Sequence, residues 1–150
     1  MKRIRRILSS IKRRIYKNPR PSLNDLDRKL EKYLNFDKGF FIEAGANDGY
    51  SQSNTYFLEK KRRWSGILVE GIPELFEKAR KQRNKSVVHN CALVSSEFPE
   101  ITVTMHYAHL MSVVEGSLKT KEEQDRHISA GLDVQHLEKS YSVTVPARTL

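Results

Sequence analysis

The segment FIEAGANDG, residues 41 to 49, places an acid and two glycines directly after an apolar run. Glu43 can accept several hydrogen bonds, and Gly45 and Gly49 can adopt positive φ without holding a bound group away. If a helix follows, its free N–H groups point to the same place. The segment therefore predicts a binding loop for a nucleotide-like ligand, and a simple tight turn remains the alternative.

A second acid, Glu70, ends the apolar run ILV and lies 21 residues beyond Gly49. In an open parallel sheet, ligands bind beyond the carboxyl ends of the strands, and the glycine segment lies at the end of the first predicted strand. The loop does not match the dinucleotide fingerprint GxGxxG, because Asn47 occupies the place of a middle glycine.

The hydrophobic pattern around these residues predicts alternating helices and strands. Apolar runs in FFI and ILV indicate parallel strands that are buried on both faces and joined by right-handed crossovers. The predicted helices cover residues 22–34 and 51–63, with Ser51 or Ser53 as the N-cap of the second, and a third begins at Pro73. The predicted strands cover residues 40–44, 67–69, 87–94, 101–107 and 141–145. Residues 115–139 show little periodicity and are interpreted as a loop or lid with room for a short helix.

The net charge of +9 is concentrated in the first 20 residues, which hold nine of the 27 Lys and Arg and no acid. The remaining residues, 21–150, carry 18 basic and 18 acidic side chains. The pattern of the arm predicts a basic amphipathic helix with an apolar stripe made of Ile4, Ile7, Leu8, Ile11 and Ile15. Peripheral association with an anionic membrane, docking on a partner, an inert leader and nucleic-acid binding all remain open for it. For the neutral domain, residues 21–150, nucleic acid is an unlikely partner.

Cysteine and histidine content limits the compartment and the metal chemistry. Cys91 is the only cysteine, so an intrachain disulfide is excluded and we expect a cytoplasmic location, with peripheral membrane association through the arm left open. Its apolar neighbours indicate a buried small residue rather than a nucleophile. His106 and His109 lack a fixed carboxylate nearby, so we predict no metal site.

Three stretches in order, FIEAGANDGYSQSNT, GILVEGIPELFEKAR and VVHNCALV, resemble the FkbM family of S-adenosylmethionine-dependent methyltransferases. The resemblance covers residues 39–95 and the closing VPARTL, and departs at Gly71, where the family usually has proline. It implies an α/β fold with a Rossmann-like class I methyltransferase sheet. The expected reaction is O-methylation of a sugar, glycan or polyketide-like hydroxyl. Because the predicted strands make about half of the family's sheet, we expect residues 21–150 to be the N-terminal part of a domain truncated at its C-terminus.

The resemblance also implies which residues bind the cofactor, S-adenosylmethionine. The glycine loop would pass its methionine part, with Glu43 holding the amino group. Glu70 would accept hydrogen bonds from the ribose, and Asn90 and Ala92 would lie beside the adenine. The full set is Glu43, Gly45, Ala46, Asn47, Asp48, Gly49, Asn54, Thr55, Glu70, Gly71, Asn90 and Ala92.

Structural roles remain open for three of these residues. Glu43 could form a salt bridge at the strand end, Glu70 could cap the next helix, and Asn90 could satisfy a turn. No catalytic residue is assigned. The alternative function is a non-catalytic or RNA-associated Rossmann-like binding domain.

Overall fold

The computed structural model describes residues 18–137 and 139–150. Pro73 occupies the first helical turn of the third helix, as predicted, because its fixed φ suits that position and its missing N–H is not needed there. Short 3₁₀ turns occur at Leu23–Asp25 and His109–Met111. The α-helices within these ranges are α1 (Leu26–Glu31), α2 (Tyr56–Arg62), α3 (Pro73–Gln82) and α4 (Lys121–Gln135).

The described strands form two groups, β1-β2-β3 and β4-β7-β5-β6, in these orders. The first group is parallel throughout, whereas the second pairs β4 with β7 in parallel and β5 with β6 and β7 antiparallel. The molecule is therefore a mixed α/β fold, as expected. The strands are β1 (Phe40–Ala44), β2 (Ser65–Val69), β3 (Val87–His89), β4 (Ala92–Leu93), β5 (Thr102–His106), β6 (Val113–Val114) and β7 (Ser142–Arg148).

The register of the parallel strands brings their carboxyl ends together. Ala44 pairs with Val69, and Val69 pairs with His89. The residues that follow, Gly45 and Glu70, therefore begin their turns at the same edge, where their N–H groups donate to the carbonyls of Val69 and His89 at 2.9 and 3.0 Å. This edge is where the sequence predicts a ligand.

Burial on both faces of the parallel strands was expected; this prediction is wrong for β1, whereas in β2 the adjacent residues Leu68 and Val69, which point to opposite faces, are both buried. Side chains alternate along a strand, so Phe41 and Leu68 enter the core together with Leu58 of α2. On the other face Phe40 and Ile42 are 61% and 53% exposed. Helices α2 and α3 therefore cover one face of β1 and β2, and no described helix covers the other.

Two predicted helices are shorter than expected because local backbone geometry interrupts them. Asn24 and Asp25 adopt φ of 53° and 54°, which breaks the helix predicted over 22–34. The helix predicted from residue 51 begins at Tyr56, with Thr55 as its N-cap residue, so the predicted start is wrong; Ser53 Oγ nevertheless accepts the N–H of Tyr56 at 3.1 Å, as a capping side chain does. Gln52, with φ of 59°, lies in the irregular loop that precedes it.

The interpretation of residues 115–139 as a loop is wrong, because α4 occupies 15 residues of this segment. Its N-cap is well defined: Thr120 Oγ1 accepts a hydrogen bond from the N–H of Glu123 at 3.1 Å. Among its residues whose burial the structure describes, only Gln124 and Gly131 are buried. A helix with so few buried positions carries no apolar stripe, which is why its period was missed.

The later strands agree better with expectation, since β5 and β7 fall within or overlap the predicted runs and pair Val103 with Val145. The run 87–94 is divided at Asn90 and Cys91 into β3 and β4.

The predicted amphipathic helix lies almost wholly outside the described residues. Among the residues that are described, no helix has the length and apolar character to cross a bilayer.

Candidate functional site

A cavity of about 170 Å³ lies at the carboxyl edge of the parallel strands. Its walls come from the turn after β1, the end of β2, the start of β4, and the segment between β5 and β6. Of the twelve predicted cofactor-binding residues, those on the wall are Gly45, Asn47, Glu70, Gly71 and Ala92. Two strand ends and the third strand's turn thus converge as parallel topology requires.

Glu70 links the two strand ends through its carboxylate. One oxygen, Oε2, accepts the N–H of Asn47 at 2.6 Å, and Oε1 accepts the N–H of Ile72 at 2.9 Å. Ile72 is the N-cap residue of α3, so the helix-capping role left open for Glu70 is present in the structure. A carboxylate has about four lone-pair sites, so these two bonds leave accepting capacity in a residue that lines the cavity.

Burial raises the pKa of Glu70 above its ordinary value. Hydrogen bonds from the backbone of Ile72, Asn47 and Gly71 act in the opposite direction, because they favour the charged form. The side chain is 6% exposed. A ligand that donates to this carboxylate would further stabilise its charge.

Glycine is needed at the two positions of the loop for different structural reasons. Gly45 has φ of +72°, and a Cβ there would meet nothing within 4 Å. Gly49 has φ of +76°, but a Cβ there would lie 2.9 Å from the Cα of Ala79 and the Cγ of Arg83. Gly45 therefore leaves space at the cavity, whereas Gly49 allows the loop to pack against α3.

Gly71, the departure from the family pattern, makes room for a side chain from β5. A Cβ at this position would overlap Sδ of Met105. Met105 is itself part of the cavity wall. Proline could not stand here without moving Met105, because its ring would occupy the same space.

Glu43 does not line the cavity and is engaged in a network of internal bonds. Its oxygens accept from Ser53 Oγ at 3.0 and 3.1 Å, from Asn54 N at 3.2 Å and from Thr55 Oγ1 at 2.6 Å. Nη1 of Arg83 lies 3.2 Å from Glu43 Oε2. The salt-bridge role left open for Glu43 is therefore the arrangement observed, and it uses Asn54 and Thr55 as well.

Arg83 was not singled out from the sequence, although it is 1% exposed and central to this network. Its Nε donates to Glu59 Oε2 at 2.9 Å, and Nη2 donates to Thr55 Oγ1 at 2.7 Å. Burial alone would raise the pKa of Glu59, but hydrogen bonds from Lys60, Ser86 and Arg83 outweigh it and lower the pKa. In the sequence Arg83 resembles the other basic residues near the end of α3, so no local signal marks it.

The other predicted residues away from the cavity wall shape the loop and its neighbours. Nδ2 of Asn90 donates to the carbonyls of Glu70 and Gly71 at 2.9 and 2.8 Å, which is the turn role left open for it. Ala46 is 2% exposed within the core. Asp48 Oδ1 accepts the N–H of Ser51 at 2.6 Å.

Asn47 differs from these residues because part of its side chain has no protein partner. It is 4% exposed and lines the cavity, yet Nδ2 forms no hydrogen bond. A buried N–H₂ without an acceptor is unfavourable, so the cavity offers a donor to a polar ligand. The open space at Gly45, the donor of Asn47 and the accepting capacity of Glu70 are compatible with a nucleoside.

No protein-family model, curated protein or solved structure matches the chain. The geometry of the cavity and the residues around it therefore provide the grounds for a functional assignment.

Proposed function

We propose that the cavity binds S-adenosylmethionine and that the protein is a methyltransferase of the FkbM type, with a Rossmann-like arrangement of β1, β2 and β3. The expected reaction is O-methylation of a sugar, glycan or polyketide-like hydroxyl. The observation that carries the proposal is the position of Glu70: a buried carboxylate at the end of β2, bonded to the glycine loop and lining the cavity.

The chemistry of this carboxylate supports the proposal. A buried carboxylate that keeps accepting capacity can receive a ribose hydroxyl, and hydrogen bonds to a charged acceptor are among the stronger ones. Asn47 supplies a donor on the same wall, and Gly45 removes a side chain from it. A ribose joined to a ring with acceptor nitrogens satisfies this combination.

The size of the cavity indicates how much of the ligand it would enclose. At about 170 Å³ it is smaller than the roughly 300 to 1,000 Å³ of most small-molecule sites. We therefore expect it to hold the adenosyl part, while the rest of the cofactor and the acceptor lie outside it.

When bound, S-adenosylmethionine supplies an electrophilic methyl group. The role we assign to this chain is to bind and orient the cofactor, because an in-line displacement gains much of its rate from alignment. No catalytic base is assigned. A cytoplasmic location, with the basic arm on an anionic membrane surface, remains part of the proposal.

A second candidate, a non-catalytic binding domain, is favoured by one observation. Glu43, expected to hold the amino group of the cofactor, is committed to Arg83 and to the loop before α2. If that network persists with ligand bound, the methionine part loses its expected acceptor, and binding would depend on the adenosyl part alone.

Calorimetric titration with S-adenosylhomocysteine tests the proposal, using the wild type, Glu70→Gln and Glu74→Gln. We expect micromolar binding that Glu70→Gln weakens by about 1 to 3 kcal/mol, because a charge-assisted acceptor is lost. Glu74 is the matched control, since it is exposed near the start of α3 and does not line the cavity.

Absence of binding by folded wild-type protein would refute the cofactor assignment. Binding of equal strength by Glu70→Gln would refute the role of Glu70. Transfer of labelled methyl to sugar acceptors then separates an enzyme from a binding domain.

A further inference from the structure

Five buried side-chain polar atoms among the described residues have no hydrogen-bond partner: Arg20 Nη1, Asp27 Oδ2, Asn47 Nδ2, His106 Nε2 and His109 Nδ1. Two of these atoms, those of Asn47 and His109, belong to residues that line the cavity. They come from distant parts of the chain, the turn after β1 and the segment after β5. Buried polar atoms are normally paired, so two unpaired nitrogens on one cavity wall point to a ligand.

The backbone at both residues supports the same conclusion. Asn47 has φ of 50° and His109 has φ of 55°. A non-glycine residue in this region is uncommon and carries strain, and such residues concentrate at binding sites. Of the eight described non-glycine residues with positive φ, these two line the cavity.

The segment that carries His109 is held in place by contacts on both sides. The N–H of Ala108 donates to Ser112 Oγ at 3.0 Å, and this hydroxyl donates to the carbonyl of His109 at 2.7 Å. Nε2 of His127 in α4 lies 3.0 Å from the carbonyl oxygen of Met111. His109 is therefore positioned before any ligand arrives.

A metal ion does not account for the free nitrogen of His109. The described residues contain no group of three or more His, Cys, Asp or Glu side chains able to hold one. An organic ligand with hydrogen-bonding groups suits both an imidazole nitrogen and the amide of Asn47.

We propose that His109 binds the adenosyl part of the cofactor through Nδ1, in the cavity that Asn47 also lines; this inference rests on the proposed function. It shares the cavity wall with Glu70, Gly71 and Ala92, the residues expected near ribose and adenine. Adenosine has both donors and acceptors, so either tautomer of the imidazole can pair with it.

The first test compares S-adenosylhomocysteine binding by His109→Phe and His106→Phe. His106 is the matched control, because it also has a buried unpaired nitrogen but does not line the cavity. We expect His109→Phe to lose about tenfold in affinity, the size of one hydrogen bond to a ligand, and His106→Phe to lose less than about twofold.

A second measurement needs no substitution: the ring ¹⁵N signals of the wild-type histidines during titration with S-adenosylhomocysteine. We expect the Nδ1 signal of His109 to move on binding and the signals of His106 to stay. Binding that leaves His109 unchanged in both measurements overturns this inference and spares the proposed function. If folded wild-type protein does not bind, both fail.

Discussion

Gly45 and Gly116 share a backbone geometry but occupy different surroundings. Each has φ of +72°, and a Cβ at either position would meet nothing within 4 Å. Gly45 lines the cavity, whereas Gly116 lies in the turn after β6 and does not. Alanine variants of the two glycines therefore distinguish the stability lost through backbone strain from the ligand affinity lost by placing a methyl group in the cavity.

We expect Gly45→Ala and Gly116→Ala to lose similar stability, about 1 kcal/mol each, because alanine is strained at positive φ. Gly45→Ala alone should also weaken S-adenosylhomocysteine binding, since its methyl group would enter the cavity. Urea unfolding and calorimetry measure the two effects. Equal affinities for the two variants would show that Gly45 serves only the turn.

Glu70 should make ligand binding depend on pH. Its pKa is raised by burial, so the carboxylate takes up a proton at a higher pH than an exposed glutamate does. Protonation removes the negative charge that strengthens the hydrogen bond from the ligand, so affinity for S-adenosylhomocysteine should fall as the pH is lowered through the raised pKa of Glu70.

The ligand-free protein should show the opposite trend. A folded-state pKa above the unfolded value contributes stability at low pH, and this contribution is lost as the pH rises through the folded value. Glu70→Gln should remove both dependences. If the affinity of the wild type and of Glu70→Gln changes in parallel with pH, another group is responsible.

At the level of elements, α4 controls one wall of the cavity although it does not line it. A Cβ at Gly131 would lie 2.9 Å from the Cβ atoms of Ala108 and Met111, so α4 approaches the 3₁₀ segment closely at this residue. Residues 121–135 show little hydrophobic periodicity, because most of the helix surface is exposed. The residues that Gly131 approaches, Ala108 and Met111, lie 20 or more positions earlier in the chain, so no local pattern reports this contact.

Gly131→Val should push α4 from this segment, and we expect a loss of about 1 to 3 kcal/mol in stability from overpacking. Ligand affinity should also fall, because His109 lies in the displaced segment. Ala130→Val is the control: Ala130 is exposed on the same helix and receives the same branched side chain. Thermal unfolding measures the stability of both variants, and calorimetry measures their ligand affinity. Equal values for Gly131→Val and Ala130→Val would contradict the packing argument.

Across the whole molecule, Arg83 ties three elements together from a fully buried position. It bonds Glu43 of β1 and Glu59 of α2 from the end of α3. Arg80, in contrast, pairs with Glu77 on the surface, where both side chains are about half exposed. A buried pair that loses one partner leaves uncompensated charge, whereas an exposed pair is replaced by water.

We therefore expect Arg83→Met to lose about 3 to 5 kcal/mol of unfolding free energy and Arg80→Met less than about 1 kcal/mol. Urea unfolding measures both. The unfolding free energy that Arg83→Met loses should become smaller as the pH falls below the ordinary range of glutamate. The pKa of Glu59 is lowered in the folded protein, so the stability that its charged form contributes is lost when Glu59 is protonated in acid. Similar losses for the two variants would rule out the buried network as a major source of stability.

Local patterns were sufficient for the elements that end at the cavity. The apolar runs before Gly45 and Glu70 predicted β1 and β2, and Pro73 predicted the start of α3, because strand, turn and first-turn preferences act within a few residues. The resemblance expected Glu70 at the end of the second strand, and the structure has it there, bonded to the glycine loop.

The partners of particular side chains were decided only by the tertiary structure. Glu43 meets Arg83, Gly71 admits Met105, and His109 joins Asn47 at one cavity. Each pair is separated by more than 30 positions in the chain. The physical reason is that a local pattern specifies which face of an element is buried, whereas the neighbour on that face depends on how all the elements pack.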